Sequence, residues 1–123
     1  MSLTLKERIS TDDQKTIFEN GVEFLGFVNK QGRLVDHIAN GSVEIPRQKS
    51  EMLFMSAKLQ NSLFEDFVED FGPLSHSVIH QGESKFLTVP VSAGLLFSII
   101  KSSQHEASTE KIFKTLNEYR DIY

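Results

Sequence analysis

The sequence contains no cysteine, which excludes disulfides, thiolate metal sites and a thiol nucleophile. It also lacks any apolar run near the ~20 residues that a membrane-spanning helix needs. The opening residues, Met1-Ser2-Leu3-Thr4-Leu5-Lys6-Glu7-Arg8, bring charge before any apolar stretch of signal-peptide length. A cytoplasmic protein with no membrane partner is the expectation. The P-loop, GxGxxG and GxSxG patterns are missing as well, and with them the usual nucleotide-binding and nucleophile-elbow fingerprints. No repeat, low-complexity segment or Pro/Gly/Ser-rich linker divides the chain, so residues 1–123 are read as a single domain.

What is present is ordinary for a globular chain. At 123 residues, folding buries roughly two-thirds of the surface that the extended chain exposes, enough for one hydrophobic core. The apolar share of 39% and the charged share of 24% sit near globular averages. A net charge of −4, with basic residues scattered among acidic ones, gives no pull toward phosphate backbones, and nucleic acid is not an expected partner. Arg47 and Lys49 form a small basic patch that reads as a solvated helix start.

Thr11-Asp12-Asp13-Gln14 has the form of a capping box ahead of Ile17 and Phe18, predicting a short helix that ends near Asn20-Gly21, with residues 3–9 as its extension. Residues 22–28 predict a strand with Val22, Phe24 and Val28 on one face and Leu25 and Phe27 on the other, both faces buried. A turn at residues 29–32 leads to a more polar strand over 33–38. After a loop through Asn40-Gly41, Pro46 opens a helix that runs to Phe71 and stops at Gly72-Pro73. Residues 74–80, 85–91 and 95–100 predict three strands in a meander, and residues 108–122 a final amphipathic helix. The more polar strands, 33–38 and 74–80, should be the sheet edges, and the nearly all-apolar 95–100 its centre. The fold class is thus α/β (α+β), a five-stranded antiparallel sheet of order 2-1-5-4-3 with helices on both faces.

The hairpin of residues 26–35 (Gly-Phe-Val-Asn-Lys-Gln-Gly-Arg-Leu-Val) and the strand pair of residues 86–100, with Pro90 closing one strand before the apolar next, resemble the dynein light chain roadblock family and its profilin-like relatives. The α-β-β-α-β-β-β-α order over residues 12–122 is similar to theirs. The hairpin followed by a Met-rich helix also looks similar to an uncharacterised family of small archaeal proteins. The roadblock resemblance implies a homodimeric, non-enzymatic platform whose partner is a small GTPase or a motor or scaffold component. The acidic second half of the long helix departs from the family pattern.

That long helix is the most informative segment. At 100° per residue its apolar side chains cover an arc of roughly 220°, about twice what one sheet face needs. The edge formed by Met52, Met55, Leu59 and Leu63 is therefore the candidate dimer or partner interface, against the plainer reading that other parts of the monomer cover it. Glu65/Glu69 and Asp66/Asp70 form two like-charge i, i+4 pairs at the negative end of the helix dipole, which suits either a docking face for a basic partner or simply a solvated face. His76 and His80 have chelate spacing only on a helix; on a strand they stand about 13 Å apart, too far for one ion. His37 and His105 read as surface histidines. No catalytic residue, metal or cofactor is expected. The alternative function is a small-molecule sensor of PAS-like architecture, but the inward positions offer only Thr88 and Ser98 as polar groups, and that favours a filled core.

Overall fold

A computed structural model of the chain describes residues 3–40, 45–101 and 105–123. Gly41 of the predicted loop and Met1-Ser2 of the opening segment lie outside them. The elements in chain order are α1 (Leu5–Arg8), α2 (Thr11–Glu19), β1 (Val22–Asn29), β2 (Leu34–Ala39), α3 (Arg47–Glu65), α4 (Val68–Phe71), β3 (Ser77–Gln81), β4 (Ser84–Val91), β5 (Gly94–Lys101) and α5 (Glu106–Asn117). The five strands form one antiparallel sheet in the order β2-β1-β5-β4-β3, with helices on both sides. Polar edges and an apolar centre follow the sequence expectation: β5 is buried from Leu95 to Ile100, whereas β2 alternates and β3 is largely exposed.

Local chemistry moved several boundaries. The predicted capping box at Thr11 is not the cap of α2: Ser10 takes that place, its hydroxyl accepting from the Asp13 N–H at 3.1 Å. A capping box does form one helix earlier, where Thr4 and Glu7 exchange bonds around α1. Ile9 is extended between the two helices, so residues 3–9 make a separate turn of helix instead of prolonging α2. In β1 a bulge between Val22 and Phe24 pairs Val22 with Ile100 and Phe24 with Ile99. Two β1 residues oppose one step of β5 there, which flips Val22 onto the face of Leu25 and Phe27 and away from Phe24 and Val28. Residues 74–76 precede β3 without joining it, because Arg120 Nη1 holds the Leu74 carbonyl at 3.0 Å and Nη2 holds that of Ser75.

The sheet divides two cores. One face packs Leu25, Phe27, Leu87, Val89, Leu96 and Ile100 against Leu5 and Ile9, Ile17 of α2, and Ile112 and Leu116 of α5. The other packs Phe24, Val28, Leu95, Phe97 and Ile99 against only two buried residues of α3, Phe54 and Ala57. That imbalance sets up everything on the α3 side.

Candidate interaction surface

Phe54 anchors α3 by stacking on Phe24 at 6.0 Å and meeting Phe97 edge-on at 5.6 Å, with Ala57 one turn on where the backbone comes close. At about 100° per residue, Met52, Leu59 and Leu63 then point roughly opposite Phe54, and Met55 sits to one side of them. The helix therefore turns its smaller apolar patch to the sheet and its larger one to solvent. Met52 is 70% exposed, Leu63 66%, Leu59 53% and Met55 38%. Met55 is the most covered because it lies over the hairpin turn, where a Cβ added to Gly32 would fall 2.7 Å from its Sδ.

Toward its C-terminus α3 borders a cleft. Lys58, Asn61 and Ser62 look onto this cleft of about 340 Å³, floored by Pro90, Val91 and Leu95, and among the described residues the buried Asn61 Oδ1 accepts no bond. The single helix expected over 46–71 is broken: Phe67 leaves helical geometry at φ −102°, ψ 7°, and α4 restarts at Val68. Pro46 stands just before the first turn as the N-cap. The break leaves Glu65 and Asp66 at the C-terminal end of α3 and puts Glu69 and Asp70 in the single turn of α4. Glu65, Asp66, Glu69 and Asp70 are all exposed, interleaved with Phe64, Phe67 and Phe71, whose neighbouring rings lie 6.3 and 6.4 Å apart.

The flank of α3 and the edge strand β3 border one recess, where Leu53, Ala57 and Gln60 face Ile79 and Phe86. β3 pairs with β4 on one side only, leaving its other ladder of amides and carbonyls to solvent. The remaining histidines scatter. His37 stacks on Phe24 at 5.3 Å, His105 is the N-cap of α5, and His76 and His80 line a cavity beneath α5. Among the described residues no three His, Asp or Glu side chains are grouped to hold a metal ion, and no helix is long and apolar enough to cross a membrane.

Neither a family model nor a curated protein matches the sequence. Solved structures do. The gliding protein MglB of Thermus thermophilus superposes with a TM-score of 0.64 at 9% identity, covering 99% of this chain and 98% of its own. An MglB described as having a tetrameric arrangement gives 0.63 at 9% identity, over 97% and 95% of the two chains. A Roadblock/LC7 domain from Streptomyces avermitilis gives 0.60 at 10% identity, over 81% and 83%. The chain has a roadblock-like fold. In this roadblock-like chain the elements carrying the exposed apolar stripe and the open edge are α3 and β3. Thr88 and Ser98 are both buried, as inward positions should be, and Ser98 Oγ has no hydrogen-bond partner among the described residues. Sequence reasoning missed two further buried polar groups, Lys85 on the α5 side of β4 and Thr109 on α5. The signal was there: Lys85 continues the inward alternation of Leu87, Val89 and Val91.

Proposed function

We propose that this protein is a non-enzymatic protein–protein interaction module that pairs with a second copy of itself through Met52, Met55, Leu59 and Leu63, and that the resulting homodimer is a platform for a further protein. The observation that carries this reading is the orientation of α3, which spends Phe54 and Ala57 on its own sheet and leaves a stripe of larger side chains in water. A stable interface buries about 800 Å² per partner. Large aromatic side chains bury at least ~150 Å² each and Met and Leu no more than that, so four partly exposed ones fall short. The contact therefore extends from the stripe across the recess to the open edge of β3, which joins the two sheets edge to edge.

Glu65, Asp66, Glu69 and Asp70 then serve as a docking face for a basic surface on the further partner, and the roadblock resemblance supports a small GTPase or scaffold component as its class. The described MglB tetramer supports self-association of such folds. The test is the solution mass by light scattering at micromolar concentration. Two chains per particle are expected, falling to one for Leu59→Glu or Leu63→Glu with an unchanged circular dichroism spectrum. Those positions are better probes than Met55, whose contact with the hairpin turn also serves the fold. A wild-type mass of one chain overturns the proposal.

A further inference from the structure

The phenylalanines at the end of α3 and in α4 belong to neither core. Phe64 and Phe67 are about half exposed and Phe71 is 86% exposed, so three rings stand largely in water. Neighbouring centroids lie 6.3 and 6.4 Å apart, and the rings form one ridge that runs across the break between the two helices. Phe64 projects about 100° round α3 from Leu63, so the ridge turns away from the Met and Leu stripe instead of prolonging it. A contiguous apolar surface of this kind is the mark of an interface.

The charges set among the rings say what fits there. Glu65 and Asp66 fall between Phe64 and Phe67, and Glu69 and Asp70 between Phe67 and Phe71. Among the described residues none of these carboxylates has an ion pair, and only Glu65 has a side-chain partner, the Asn61 amide at 3.3 Å. From residue 59 to residue 84 the sequence holds five acidic residues and no lysine or arginine, so the flanking chain supplies no counter-charge. A second copy set symmetrically on the ridge would bring like charges face to face, which argues against self-contact here. An anionic lipid surface is repelled for the same reason. The complementary partner has apolar side chains to cover the rings and cations beside them.

Ring spacing selects the partner's shape. On a helix, residues i and i+4 are separated by about 6 Å along the axis, close to the step from ring to ring. A helix lying along the ridge sets successive apolar side chains against successive rings, with lysine or arginine reaching the carboxylates on either side. We infer that Phe64, Phe67 and Phe71 receive a basic amphipathic helix of another protein. This deepens the acidic docking face described above; it rests on the reading of the chain as an interaction module, though not on self-association.

The experiment titrates the full chain with a synthetic peptide of about five helical turns, leucine at i, i+4 positions and lysine elsewhere, followed by amide chemical shifts. One control peptide has the same composition in an order without helical periodicity, and another has glutamate in place of lysine. Saturable shifts centred on residues 64–71 are expected with a Kd of about 10 μM, about tenfold weaker for the aperiodic peptide, and no saturation with the glutamate peptide. Phe71→Ser, at a side chain the fold leaves in water, should weaken binding about tenfold. Glu69→Lys combined with Asp70→Lys should weaken it as much and flatten its dependence on salt. Absence of saturation, shifts centred elsewhere, equal binding of either control peptide, or variants that bind as the native chain does overturn the inference. Leu59→Glu leaves the ridge intact and should bind the peptide as tightly as the native chain. A wild-type mass of one chain would thus remove the homodimer and leave the titration to decide the ridge.

Discussion

Tyr119 ties the two ends of the chain together with one hydroxyl. It donates to Asp13 Oδ2 at 2.5 Å and accepts from the Ser10 N–H at 3.1 Å, so the start of α2 is latched to the residues after α5. Burial first, and the bond to Asp13 second, push its pKa above the ordinary 10. The folded state therefore holds the phenolic proton more tightly than the unfolded one. The associated stability is complete below pH 10 and is lost as pH rises from there through the folded pKa. Tyr119→Phe removes the donor and leaves the Ser10 amide and the Asp13 carboxylate to find water. A loss of about 1–2 kcal/mol in urea unfolding at about pH 7 is expected. The gap between variant and wild type should narrow when the titration is repeated above about pH 10. A gap independent of pH would show that the latch is packing and not a proton-dependent bond.

Lys85 marks the limit of residue-level reading. A charge at the end of an apolar strand reads naturally as a solvated terminus, whereas in the fold the Lys85 Nζ donates to Thr109 Oγ1 on α5. That partner is 24 residues away in sequence.

At the scale of elements, strand order was legible because burial on two faces leaves a compositional mark: β5 is apolar throughout, and β2 and β3 are not. The over-wide apolar arc of α3 was equally plain. What periodicity could not give was which side of the helix faces inward, since Phe54, the buried anchor, lies just beyond the arc that contains Leu59. The choice is made by the ring cluster of Phe24, Phe54 and Phe97, which is assembled from three distant segments. The bulge in β1 was illegible for the same reason, because it depends on the register with β5 and not on its own residues.

A helix attached through two buried residues has little local protection. In dilute solution, where chains are separate, the amides of α3 should exchange with solvent orders of magnitude faster than those of β5, which has hydrogen-bonded neighbours on both sides. Hydrogen exchange followed by mass spectrometry of peptic fragments measures this directly. Equal protection in the two segments would mean that the Phe54 cluster holds α3 as firmly as the sheet holds β5.

For the whole molecule, the sheet is a partition between unequal halves. The face toward α2 and α5 has helices at both ends of the chain closing over it, with Arg8 stacked on Tyr123 at 4.7 Å as the outermost clasp. The α3 face is thinly covered and borders the cleft beneath Asn61.

If the outward face of α3 pairs as proposed, robustness becomes a collective property, because stability is gained only when a second copy is present, by mass action. The thermal midpoint should climb as protein concentration is raised from about 1 to about 100 μM, while that of Leu63→Glu stays level, as differential scanning calorimetry would register. Abundance in the cell would then set how long each molecule survives, chains too dilute to pair being the first to unfold.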